Sequence, residues 1–139
     1  MSFITTGVEY GLHCVTYLVG PPHGAREASV RDLAELQSVP ADFLAKVFTK
    51  LRRAGLVNAS EGVRGGFALA RPAASISVLD VVEAIDGKRS LFECNDIRGN
   101  CAIFQGPAPR WATTGTCSIH AVMLEAEEHM RRSLAGHSL

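Results

Sequence analysis

The sequence predicts a mainly α chain with one small β-hairpin, arranged as a winged helix-turn-helix followed by a long C-terminal helix. Three observations predict it. Two short amphipathic segments, residues 30–37 and 41–54, are separated only by Ser38, Val39 and Pro40. The stretch LVNASEGVRGGFALARP follows at once and reads as two strands around a glycine-bearing turn. Residues 118–135 then carry an apolar stripe at helical spacing.

The elements follow in order. Residues 6–19 place Val8, Leu12, Val15 and Val19 on one helical face, and Gly20-Pro21-Pro22 ends the run. Glu9 and His13 are four apart and share another face, either as an exposed acid–imidazole pair or as half of a metal site. Cys14 reads as a core residue. Ser29-Val-Arg-Asp32 resembles a capping box and opens the helix 30–37, with Val30, Leu33, Ala34 and Gln37 facing inward. Pro40 suits the start of the next helix, whose apolar side is Phe43, Leu44, Val47, Phe48 and Leu51. Gly55 suits the left-handed position past its end. Two short helices joined tightly are the pattern of a helix-turn-helix, and the hairpin after them makes it winged. Ser77 opens a further helix with Val78, Leu79, Val82 and Ile85 as core positions, stopped by Gly87.

A chain of 139 residues suffices for one domain with a real core. We divide it into a winged helix-turn-helix at 1–87, a cysteine-bearing loop at 88–117 and a terminal helix at 118–139, forming one compact domain overall. The 47% hydrophobic and 20% charged fractions are ordinary for a globular protein. No apolar run approaches the ~18 residues of a membrane helix, and the N-terminus lacks the basic start of a signal peptide. A cytoplasmic location without membrane association is therefore expected. Structural disulfides are rare there, so the four cysteines read as core residues, metal ligands or redox groups.

The zero net charge hides a basic middle. Between Pro40 and Arg71 lie Lys46, Lys50, Arg52, Arg53, Arg64 and Arg71 against only Asp42 and Glu61. Basic residues at a helix end can simply complement its dipole, which covers Arg52 and Arg53 but not Lys46 or Arg64. Pattern and charge thus agree on double-stranded DNA as the partner. The helix from Pro40 would enter the major groove, with Ala41 and Asp42 near bases, Lys46 and Lys50 nearer phosphates and Arg53 at its end. A protein that reads a two-fold site needs a dimer. The stripe Ile119, Val122, Met123, Ala126, Met130 and Leu134 is accordingly expected to pair two copies.

The stretch from Cys94 to His120 holds Cys94, Cys101 and Cys117 and is expected to be a long irregular loop. Three thiols and an imidazole point to a metal centre, with Cys94, Cys101, Cys117 and His120 as one candidate ligand set. Zinc on that set would sit on wide spacings. An enzyme with Cys117 as nucleophile and His120 as base lacks a visible orienting group. A protein-docking winged module is a further alternative.

The motif EGVRGGFALARP, the following SVLDVVEAIDG and the downstream cysteines together resemble the IscR/NsrR/RsrR family of bacterial winged-helix transcription regulators. That resemblance covers the chain from Glu9 to the last helix. It implies a dimeric regulator, not an enzyme, that senses through an iron–sulfur cluster. Many cluster-bearing members space three cysteines about five residues apart, whereas here six residues separate Cys94 from Cys101 and fifteen separate Cys101 from Cys117. VEYGLHC, FECNDIR and TCSIHAVM instead resemble the redox-sensing RsrR branch. The branch implies a [2Fe-2S] cluster held by Glu9 and His13 of one subunit and Cys94 and Cys117 of the other, leaving Cys101 and His120 secondary. Histidine ligation raises a cluster's potential, and a carboxylate is a hard, exchangeable ligand. Many relatives carry a wing arginine where this chain has Glu61, so Arg64 is the expected minor-groove contact. Another iron–sulfur cluster, zinc, or a cluster-free regulator answering thiol oxidation or a small metabolite are the alternatives.

Overall fold

A computed structural model describes residues 3–60, 65–94, 96–115 and 117–139. Helix α1 spans Thr6–Tyr17. Its N-cap, Thr5, donates from the backbone N–H (3.0 Å) and from its hydroxyl to the carboxylate of Asp86. That places a negative charge at the positive end of the helix, where it is stabilising. The helix stops two residues before the predicted end, because Gly20 turns the chain at φ +111°. Val8 and Val15 are buried as expected, but Val19 falls beyond the helix and is exposed. Cys14 and Leu18 take the core positions instead.

Helix α2 is Val30–Gln37 and helix α3 is Ala41–Arg53, as the capping signals predict. Ser29 Oγ accepts from Asp32 N–H at 3.0 Å, and Ser38 closes α2 in the left-handed region at φ 54°. Pro40 precedes α3 with extended backbone. Leu44, Val47, Phe48 and Leu51 are buried, while Phe43 lies at the edge of that face and stacks edge-on against Tyr10 at 5.8 Å. Strands β1, Val57–Ser60, and β2, Gly66–Leu69, pair antiparallel with Val57 opposite Leu69. Of the turn expected to contain Gly62, Gly65 and Gly66, residues 61–64 lie outside the described residues.

A third edge joins this hairpin. Ala28, just before α2, exchanges two backbone hydrogen bonds with Phe67, of 3.1 and 2.8 Å. Gly66 permits the approach: at φ +156°, a Cβ there would come within 2.8 Å of the Ala28 carbonyl oxygen. The Phe67 ring packs on Phe48 at 4.9 Å, so the hairpin is fastened to α3 as well.

Helix α4, Val78–Asp86, opens with a complete capping box between Ser77 and Asp80. Its buried face is Val81 and Ile85, flanked by Val82, so Val78 and Leu79 are only half-buried. Gly11 of α1 lies against Ile85 and Val47, and a Cβ there would overlap the Ile85 side chain. The small residue lets α1 settle closely onto α3 and α4.

The chain forms two compact units. The first comprises the residues through Arg89 together with Ser133–Leu139. In it the final residues return to α4, with Val78 N–H donating to His137 O at 2.8 Å and Leu139 N–H to Ile76 O at 3.1 Å. The second unit is Ser90–Arg132. Its cysteine region contains a 3₁₀ turn at Ala102–Phe104 and a one-turn helix α5, Arg110–Thr113, started by Pro109. Helix α6 runs Ser118–Ala135 with no buried residue.

Candidate nucleic-acid interface and metal centre

The outward face of α3 exposes Ala41, Asp42, Lys46 and Arg53, as the sequence reading requires. Ala45 and Thr49 stand on the same face and were not singled out from the sequence, although they follow Ala41 at four-residue spacing. Thr49 Oγ1 donates to Ala45 O at 3.0 Å. Lys50 is turned elsewhere in part: its Nζ donates to the carbonyl oxygen of Ile85 at 3.1 Å, near the C-terminus of α4. A cation suits that end of a helix. Arg64 and Glu61 lie outside the described residues. The turn end of the hairpin is held by Ser60 Oγ, which donates to Glu27 at 2.7 Å.

Glu9 and His13 are both exposed on α1 and open onto one cleft of about 410 Å³ between α1 and α2. Tyr10, Tyr17, Leu33, Leu36 and Gln37 complete its wall. Gln37 Nε2 donates to Cys14 Sγ at 2.8 Å, yet its Oε1 is buried and accepts no hydrogen bond. Cys14 is fully buried, and burial pushes its thiol up to about 11, the Gln37 bond opposing. It is a core residue.

In the second unit, Cys94, Cys101, Cys117 and His120 line a single pocket of about 590 Å³. Phe92, Phe104, Trp111 and Ile119 give it apolar walls. His120 meets Phe92 edge-on at 5.9 Å, and Phe104 meets Trp111 in the same way at 5.7 Å. Arg98 closes the loop on itself by donating to Gly115 O at 2.9 Å and Thr114 O at 3.5 Å. Asp96 holds the turn after Cys94, accepting from Gly99 N–H at 3.3 Å.

Cys117 stands at the head of α6, where its carbonyl accepts from Ala121 N–H at 2.9 Å. Its thiol is lowered from the ordinary value, chiefly by the backbone N–H groups of His120 and Ile119. Unsatisfied N–H groups at a helix start favour an anion, here the thiolate that binds soft metals. Among the described residues, no three His, Cys, Asp or Glu side chains converge closely enough to hold a metal ion. Cys94, Cys101, Cys117 and His120 thus share a pocket without forming a finished coordination shell. Glu9 and His13 belong to the first unit and Cys94 and Cys117 to the second. Two thiols, an imidazole, a carboxylate and a helix start that favours thiolate fit the donor needs of a [2Fe-2S] cluster.

The Rrf2 family profile, described as an iron-dependent transcriptional regulator, matches residues 4–139. The chain belongs to the Rrf2 family. Protein rrf2 of Nitratidesulfovibrio vulgaris is 30% identical over 132 residues, covering 94% of this chain and 80% of its own. A Synechocystis protein named for an HTH-type transcriptional regulator, slr0846, is 39% identical over 84 residues, or 60% of this chain. That match spans 56% of the Synechocystis protein, little more than half its length. The Rrf2 fold is shared with CymR, the global cysteine regulator of B. subtilis, at a TM-score of 0.72 and 20% identity, covering 99% of this chain and 93% of that one. IscR of T. potens gives a TM-score of 0.68 at 21% identity, covering 99% and 82%. The oxidized form of Staphylococcus aureus CymR gives 0.69 at 21%, covering 99% and 92%. The resemblance read from the sequence and the winged-helix fold are both borne out. The matching family is described as a transcriptional regulator and not as an enzyme, so a Cys117–His120 nucleophile pair has no support. No helix among the described residues is long and apolar enough to cross a membrane.

Proposed function

We propose that this Rrf2 protein is a homodimeric regulator that binds a DNA operator and senses redox or iron–sulfur status through a [2Fe-2S] cluster held between subunits. The observation that carries the reading is the gathering of three thiols and His120 on one pocket beside a helix start that favours thiolate. Cys94 and Cys117 of one copy, with Glu9 and His13 of the other, would hold the cluster, Cys101 and His120 being reserve ligands. Bound there, the cluster would supply a centre able to gain or lose an electron, or to be lost. The residues here do the rest: α1 presents two ligands, Cys117 offers a thiolate, and α3 presents the DNA face.

In that face Ala41 and Asp42 reach base edges, while Lys46, Lys50 and Arg53 serve the phosphates and Arg64 the minor groove. Ligands drawn from both copies would link cluster state to DNA affinity, with a typical coupling of ~1–3 kcal/mol. Anaerobic purification with visible absorbance and iron and sulfide analysis is the test. A colourless chain without either element, even after reconstitution, overturns the cluster. A gel shift at two salt concentrations tests the DNA claim, since phosphate contacts make affinity fall steeply with salt.

A second reading is favoured by the lowered Cys117 thiol: a cluster-free regulator answering thiol oxidation. The solved oxidized form of S. aureus CymR shares this fold. The same metal analysis separates the two.

A further inference from the structure

We infer that α3 reads thymine methyl groups with a ridge of its own methyls, on Ala41, Ala45 and Thr49, while the adjoining Asp42 carboxylate accepts from a cytosine amino group. This rests on the reading of α3 as the helix that enters the major groove. The three ridge residues recur every four positions and all are exposed, so they line one edge of the outward face. At 1.5 Å per residue the ridge runs for about 12 Å, the width of the major groove. Thr49 Oγ1 already donates to Ala45 O at 3.0 Å. Its methyl is therefore the group left to meet a base, and the ridge is apolar along its length.

What the helix lacks narrows the choice of bases. From Ala41 to Thr49 it carries no arginine, asparagine or glutamine, the side chains that most often pair with guanine and adenine edges. Lys46 is the one cation of that stretch and sits beside the ridge, where it serves a phosphate, while Lys50 is drawn off to the Ile85 carbonyl oxygen. The groups that remain match pyrimidines: apolar contact suits the thymine 5-methyl, and a carboxylate suits the cytosine N4 amino group. Adenine also offers an amino group, but its N7 acceptor lies beside it and repels a carboxylate. Alanine on an exposed helix face can equally reflect helix propensity, and that reading expects no base preference at all.

The test removes single methyl groups from each side. Selection from a random duplex library by the full-length protein, both metal-free and reconstituted with iron and sulfide, should enrich half-sites with thymines next to a cytosine on one strand. Replacing each thymine by deoxyuridine deletes only the 5-methyl and should weaken binding about fourfold per contacted position. Thr49→Ser keeps the hydroxyl and deletes only the protein methyl, so it should abolish the deoxyuridine penalty at one position and leave the others intact. Asp42→Asn should admit adenine where cytosine was selected, since asparagine pairs with adenine. Binding indifferent to deoxyuridine throughout, or penalties that persist unchanged in Thr49→Ser, overturns the inference, and thermal unfolding shows whether the variant keeps its fold. If no sequence is enriched, or Lys46→Ala leaves affinity and its salt dependence unaltered, the reading of α3 as the groove helix fails and the inference with it. A weakened Lys46→Ala protein with no deoxyuridine penalty sinks the methyl ridge alone.

Discussion

Burial holds the Cys14 thiol up to about 11, while the N–H groups at the start of α6 pull the Cys117 thiol below its ordinary value. The thiolate is the reactive form, so these two cysteines should separate cleanly. In metal-free protein, iodoacetamide should label Cys117 first, at a pH below that needed for an ordinary thiol, and Cys14 only on unfolding. Peptide mass spectrometry reads the order, and early labelling of Cys14 would contradict the burial argument. The sequence disclosed Cys14 as core because a free mid-helix cysteine behaves as a small hydrophobe. It gave no hint of the Cys117 shift, which comes from backbone groups rather than from a neighbouring side chain. Gln37 was legible as inward-facing, but its orphaned oxygen depends on a bond to a residue 23 positions away.

At the scale of elements, the C-terminus of α4 is a shared fastening. Asp86 caps α1 through Thr5, and the neighbouring Ile85 carbonyl accepts from Lys50 of α3. Lys46 and Lys50 sit one turn apart on α3 and should therefore differ in what they do. Lys46→Ala should weaken DNA binding and reduce the salt dependence by about one phosphate contact, leaving stability unchanged. Lys50→Ala should in addition cost about 1 kcal/mol of stability from its lost hydrogen bond, read by urea unfolding. Equal unfolding midpoints for the two variants would contradict this division. The bounds of α2 and α3 were legible because Ser29, Pro40 and Gly55 are local punctuation. The ties from Lys50 to Ile85 and from Ala28 to Phe67 join distant residues, and no local pattern announces them. Helix α5 is a single turn, too short to display a period.

Over the whole molecule, apolar surface is unevenly placed. Ile119 and Val122 of α6 are 61% and 62% exposed, although their stripe has the spacing of a packed helix. If a second copy covers it, Val122→Glu should yield monomers in sedimentation and weaken operator binding, because a two-fold site then loses half its contacts. A dimer that survives this change would place the interface elsewhere. The helix itself was legible from its stripe; what the stripe meets was not, since periodicity states that a face is apolar and never what faces it.

One asymmetry reaches further. Every buried hydrophobic residue of the described chain lies between Val8 and Ile85, and none falls within Ser90–Arg132. Water therefore still wets Ile97, Ile103 and Trp111, each at least 75% exposed. Whatever covers these side chains should carry the calorimetric mark of apolar dehydration, a negative heat-capacity change. The enthalpy of self-association should then grow more favourable with each degree of warming, and its slope would measure how much of the cysteine-bearing unit is completed only in company.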